Sequence, residues 1–186
     1  RSGERALTYG ELVRRSDALA AHLAATLPAG AAPVVVVGHK EPEMIVAFLG
    51  AVKAGRPYVP VDTALPPQRI ERIIELAEAA ITLTPEQVAA LSEGDATAPP
   101  RRLSAASPYY IMFTSGSTGE PKGVVITLGC IEAFITWMLA EHGFAEGAEV
   151  FLNQVPFSFD VSVMDYYLAL VTGGSAVSVT RDEVAN

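Results

Sequence analysis

Tyr110-Ile111-Met112-Phe113-Thr114-Ser115-Gly116-Ser117-Thr118-Gly119-Glu120-Pro121-Lys122-Gly123 falls into three chemically different parts. Residues 109–113 are all apolar or aromatic and predict a buried strand. The hydroxyls and glycines that follow make poor helix or strand. Their O–H groups are donors, and the glycines let backbone N–H groups come close to an anion. Lys122 adds a compact positive charge at the far end. The chemistry is that of a loop that grips phosphate.

The pattern is not a Walker A element. That motif needs Gly-Lys-Ser/Thr after its fourth spacer residue and then a helix. Here Pro121 stands where the second glycine should be, and Lys122 is followed by Gly123. Val124-Val125-Ile126-Thr127 is rich in β-branched residues and predicts a second strand. The loop is therefore expected at the tip of a hairpin. An ordinary Ser/Gly-rich turn is the plainer reading of Ser-Gly-Ser alone; the order of residues 114–123, ending in lysine, favours phosphate.

Strands and helices alternate on either side of this hairpin. Thr8-Tyr9-Gly10-Glu11 is a capping box, and Leu12, Leu19, Leu23 and Leu27 share a face of the helix it opens. The four valines at 34–37 predict a strand buried on both faces. A helix is expected from Pro42 to Gly55, a strand over 58–61, and a helix from Pro66-Pro67 with Ile70, Ile73, Ile74 and Ala77 inward. A short strand covers 81–83, and 93–108 reads as a surface loop in which Arg101-Arg102 is a solvated turn. An amphipathic helix spans 128–142, with Ile131, Ile135 and Met138 on its inner stripe, Trp137 at its margin and Cys130 as a small core residue. A last helix is expected from 157 to about 171, stopped by Gly173-Gly174. This rhythm predicts an α/β layered domain, its mostly parallel sheet flanked by helices; it leaves the strand order open.

Segment 114–123 resembles the signature loop of the adenylate-forming (AMP-binding) enzymes: acyl-CoA synthetases, luciferases and the adenylation domains of nonribosomal peptide synthesis. Three further stretches resemble that family in the same order. They are Leu7-Thr8-Tyr9-Gly10-Glu11-Leu12, then Leu49-Gly50-Ala51-Val52-Lys53-Ala54-Gly55-Arg56-Pro57-Tyr58-Val59-Pro60-Val61-Asp62, then Phe157-Ser158-Phe159-Asp160-Val161-Ser162-Val163. Gly38-His39 with Pro42-Glu43-Met44, and Phe151-Leu152-Asn153-Gln154 leading to Ser162-Val163-Met164-Asp165, are similar to the D-alanine–carrier protein ligases of teichoic-acid D-alanylation. The resemblance implies that residues 1–186 form part of the large N-terminal domain of such an enzyme. The adenine, ribose and Mg²⁺ contacts and the mobile C-terminal domain with the main catalytic lysine are then expected beyond Asn186. The chain by itself is expected to be inactive.

The implied activity is ATP-dependent activation of a small amino acid, D-alanine above others. The aminoacyl group then passes from the adenylate to the phosphopantetheine thiol of a carrier protein. Thr114, Ser115, Gly116, Ser117, Thr118, Gly119 and Lys122 would hold the ATP phosphates. On a helix turning about 100° per residue, Asp160, Val161 and Met164 lie within about a third of a turn of each other. The resemblance implies that Asp160 binds the substrate ammonium and that Val161 and Met164 line its side chain. From the residues alone Asp160 also fits a helix N-cap that needs no ligand. Asp62 reads as a turn residue and His39 as a loop histidine satisfied by its neighbours. Two rival readings stay open: an adenylation domain of a peptide synthetase for another amino acid, and a noncatalytic nucleotide-binding or interaction module.

Composition agrees with a globular protein. Of 186 residues 50% are hydrophobic, and 21 acidic against 13 basic side chains give a net charge of −8. That balance speaks against a nucleic-acid surface or an anionic-membrane anchor. The single cysteine excludes an internal disulfide and a CxxC metal site. No apolar leader or run of about 18 apolar residues occurs, so neither membrane insertion nor export is expected and a cytoplasmic location is.

Overall fold

Four consecutive valines make β1 (Val34–Gly38) a strand whose side chains enter apolar surroundings on both faces. Val34 and Val36 belong to the larger core, while Val35 and Val37 pack into a second, smaller one. The same alternation runs through β2 (Tyr58–Asp62) and β4 (Pro108–Ser115). Tyr58, Tyr110 and Met112 face the larger core; Val59, Val61, Ile111 and Phe113 face the smaller. A computed structural model describes residues 1–96, 101–115, 119–180 and 183.

The main sheet has five strands in the order β3-β1-β2-β4-β5, with β3 at Ile81–Leu83 and β5 at Pro121–Thr127. Strands β1 to β4 run parallel, and β5 returns antiparallel to β4. The expected mostly parallel α/β sheet and its hairpin are both present. A second, parallel pair joins β6 (Val150–Asn153) to β7 (Ser175–Ser178).

Helices cover both faces of the main sheet. α1 (Tyr9–Thr26) opens on the Thr8–Glu11 capping box. It packs closely on α2 (Pro42–Lys53), where a Cβ added at Gly50 would stand 2.8 Å from Leu19 Cδ2. α3 (Pro67–Ala77) covers the opposite face through Ile73 and Ala77. α4 (Pro85–Leu91), which the periodicity reading passes over, starts at a second capping box formed by Thr84 and Gln87.

α5 (Leu128–Glu141) buries Ile131 and Met138, as its stripe predicts. Cys130 is a correction, for it is exposed and not in the core. It lies one residue before Ile131, about 100° round the helix from the buried stripe, in the turn capped by Thr127. Trp137 is 55% exposed and borders Phe134. α6 (Ser162–Thr172) begins later than expected, because the residues before it form tight turns such as Phe159 N–H to the Pro156 carbonyl at 3.0 Å. It ends at Gly173, whose φ of 70° a Cβ would strain. Within the expected surface loop, residues 97–100 lie outside the described residues; Arg101 and Arg102 are exposed, and Leu103 packs on the core.

Candidate functional site

The hairpin sets the first half of the site. β4 brings Thr114 and Ser115 to its end, and in the antiparallel register Lys122 stands opposite Thr114. Thr114, Ser115, Gly119 and Lys122 are all exposed, so their donors are free to meet a solute. Gly119 takes φ 84°, a left-handed conformation that favours glycine. Gly116, Ser117 and Thr118 lie outside the described residues. Two arginines of α3, absent from the sequence reading, flank the loop. Arg69 donates to Ser115 Oγ at 3.1 Å, and Arg72 Nε donates to Glu120 Oε2 at 2.9 Å. The second pair neutralises the one acidic side chain in the loop; the polar face of an amphipathic helix gave no hint of it.

The second half comes from the turns before α6. Asp160 is exposed, and its Oδ1 accepts a hydrogen bond from the Tyr110 hydroxyl at 2.6 Å. The N-cap of α6 is Val161, with no side-chain capping bond. The capping role left open for Asp160 is thus not the one its side chain plays; it bonds to β4 instead. Val161 is exposed beside it, and Met164, a turn further on, is half-buried. Thr114 and Lys122 are brought face to face, and Asp160 is brought to the strand that ends in Thr114 and Ser115. No hydrogen bond or ion pair joins the two groups among the described residues.

Tyr110 is buried and its ring lies tilted against that of Tyr58, with ring centroids 5.6 Å apart. Burial, and then the bonded Asp160 carboxylate, push its hydroxyl well above the usual tyrosine range, so it stays a neutral donor. Behind it the Tyr58 hydroxyl meets those of Tyr166 at 2.6 Å and Tyr167 at 3.1 Å. These bonds tie α6 to β2 across the core, and burial raises all three phenols.

Lys40 is the other residue that the sequence reading missed. It is 2% exposed, lies 4.8 Å from the centroid of the Phe157 ring, and donates to the Asn153 carbonyl, Asn153 Oδ1 and the Val155 carbonyl. Asn153 Nδ2 in turn donates to Asp165 at 3.0 Å. The segment leading to Asp160 is therefore held down by one buried ammonium. Burial pushes Lys40 down to about 8, opposed by the charges of Asp165 and Asp62. His39 Nδ1 lies 2.6 Å from Asp62 Oδ2, and Asp62 Oδ1 accepts from Ala64 N–H at 2.7 Å. His39 is satisfied by its neighbour, and Asp62 closes a turn, as expected. Among the described residues no group of three His, Cys, Asp or Glu side chains could hold a metal ion. Nor, among them, is any helix long and apolar enough to cross a membrane.

Residues 1–186 match the family described as AMP-binding enzyme. The chain is 42% identical to proteins named D-alanine–D-alanyl carrier protein ligase from Bacillus cereus (strain G9842) and Bacillus anthracis, over 96% of its own length and 39% of theirs. It thus spans well under half of those relatives. Among solved structures it is similar to the Klebsiella oxytoca NpsA N-terminal subdomain in complex with 3-hydroxyanthranilyl-AMSN, with TM-score 0.80, 26% identity and coverage of 97% of this chain and 48% of that one. It is also similar to the nonribosomal peptide synthetase FmoA3, with TM-score 0.82, 28% identity and coverage of 97% and 20%. VinN in complex with 3-methylaspartate shares the fold at TM-score 0.86 and 21% identity, covering 100% of this chain and 58% of VinN.

Proposed function

Since this chain belongs to the AMP-binding enzyme family, we propose that it is the first part of an adenylate-forming ligase that activates D-alanine and passes it to a carrier protein. In the longer enzyme the carboxylate of D-alanine attacks the α-phosphorus of ATP and pyrophosphate leaves. The thiol of a carrier-protein phosphopantetheine then takes the alanyl group and AMP departs. Catalysis of such transfers rests on positioning and on neutralising phosphate charge. Thr114, Ser115, Gly116, Ser117, Thr118 and Gly119 supply donors to the β- and γ-phosphates, and Lys122 supplies a cation. Asp160 pairs with the substrate ammonium, and Val161 and Met164 border its methyl group. Mg²⁺ would accompany ATP and offset phosphate charge, held by a protein ligand expected beyond Asn186. The reaction takes place in the cytoplasm.

The observation that supports this reading is that one strand, β4, ends in Thr114 and Ser115 of the Ser/Thr/Gly-rich segment and also bonds to Asp160 through Tyr110. The choice of D-alanine is supported by the names of the relatives at 42% identity. A second reading, an adenylation domain of a peptide synthetase for another small amino acid, is favoured by the 28% identity to FmoA3. Amino-acid-dependent ATP–pyrophosphate exchange by the full-length protein, across both enantiomers of the small amino acids, decides between them. D-alanine should give the highest kcat/KM. Preference for another amino acid supports the second reading, and absence of exchange with every amino acid rejects both.

A further inference from the structure

The substrate-side carboxylate is not free to choose its orientation. Asp160 lies in a turn and is exposed; its backbone carbonyl accepts from Val163 N–H of α6 at 3.1 Å, but its side chain caps no helix. An exposed aspartate of this kind samples several rotamers in solution. The hydrogen bond to Tyr110, at 2.6 Å, selects one of them. Its donor could hardly be more rigid. Tyr110 is 2% exposed, sits in the interior of the sheet with its Cα paired to that of Tyr58, and has its ring packed against the Tyr58 ring.

A tyrosine hydroxyl has one proton to give. Here that proton goes to Asp160 Oδ1, which leaves Oδ2 as the oxygen for an incoming donor. Strand β4 also fixes the distance to the phosphate loop. Thr114 stands four positions after Tyr110, about 13 Å along a strand at about 3.3 Å per residue. Tyr110 and Met112 point into the larger core, on the face where Phe157 and Tyr166 pack, while Ile111 and Phe113 point to the α3 side. One rigid element thus sets the spacing of both site halves.

We propose that Tyr110 is a positioning residue for the substrate amine: its hydroxyl holds Asp160 Oδ1 so that Oδ2 faces the ammonium at a fixed distance from the phosphate loop. This rests on the reading of Asp160 as the ammonium partner. Tyr110 does not touch the substrate; it acts through Asp160. Because burial and the neighbouring carboxylate keep the phenol protonated, the clamp holds throughout the physiological pH range.

The test uses Tyr110→Phe in the full-length ligase, which removes one oxygen and keeps the ring. ATP–pyrophosphate exchange is measured with D-alanine varied, with ATP varied, and with propionate, the same acid without its amine. The expected result is a rise of about tenfold in KM for D-alanine, the loss typical of a hydrogen bond to a charged group. KM for ATP should stay within about twofold, and the preference for D-alanine over propionate should shrink by the same factor as the D-alanine loss. In an Asp160→Asn background, Tyr110→Phe should add little further loss, since the charge it orients is gone. If Asp160→Asn impairs D-alanine activation and Tyr110→Phe does not, Tyr110 is a packing residue and the proposal falls while the reading of Asp160 stands. If neither variant affects D-alanine, the reading of Asp160 falls and takes the proposal with it. A Tyr110→Phe loss that is equal for D-alanine, propionate and ATP, together with a lowered melting temperature, is a structural defect and also overturns it.

Discussion

Asp160→Asn in the full-length ligase isolates the charge of one side chain. Asparagine keeps the volume and an Oδ1 acceptor for the Tyr110 hydroxyl, and no helix cap is lost because α6 is capped by no side chain. The stability change should therefore stay within about 0.5 kcal/mol, the usual range for a surface substitution, or about 2 °C in melting temperature. The binding loss depends on what surrounds the carboxylate once substrate is present. An ion pair left in water is worth about 0.2–1 kcal/mol, less than about sixfold in affinity. An ammonium enclosed by the bound adenylate and the rest of the enzyme, with its partner neutralised, costs about 2–5 kcal/mol. The enclosed case is expected, so kcat/KM for D-alanine should fall by more than about tenfold while kcat/KM for ATP holds. ATP–pyrophosphate exchange with each substrate varied in turn, alongside thermal melting, provides both numbers. A D-alanine loss below about fivefold, with normal folding, would reduce Asp160 to a solvent-exposed contact and refute the assignment.

Four other outcomes are expected. Lys122→Ala should lower kcat/KM for ATP by about 1.5–3 kcal/mol, the size of a charge-assisted contact, and leave the melting temperature unchanged because Lys122 is exposed; an unaltered ATP dependence would make the hairpin tip an ordinary turn. Lys40 has its folded pKa lowered to about 8, so between there and its unfolded value near 10.4 the unfolded chain holds the extra proton and stability rises with pH. Lys40→Met should abolish that rise, which is at most about 3 kcal/mol, and pH-dependent melting curves of equal slope in the two proteins would contradict it. Above about pH 10 both should lose stability, because the buried phenols of Tyr58, Tyr110, Tyr166 and Tyr167 resist ionisation in the fold but not in the unfolded chain. The 186-residue chain alone should give no amino-acid-dependent pyrophosphate exchange, and measurable turnover by it would mean that residues 1–186 suffice.

Local chemistry made much of this molecule readable. Thr8 and Glu11 announced α1 because a capping box satisfies backbone donors within four residues. Thr84 and Gln87 make the same motif at α4, but that helix has only 7 residues, too few for an apolar period to stand out. Cys130 looked like core because its neighbours are apolar, yet helical phase turns it outward while Ile131 goes in. Lys40, a lysine after a glycine and a histidine, carried no sign of burial. It is enclosed only because residues 153–157, more than a hundred positions later, pack over it.

The α/β rhythm and the hairpin were legible in the amino-acid order alone, since propensity, periodicity and turn residues act over a few neighbouring positions. That order also determined that Tyr110 and Met112 share a face, because strand side chains alternate. The order β3-β1-β2-β4-β5, the burial of Lys40 and the bond from Tyr110 to Asp160 fifty residues away emerge from the folded chain alone. Those depend on which surfaces the folded chain brings together. Many pairings satisfy the same local preferences, and the one that closes both cores at once prevails.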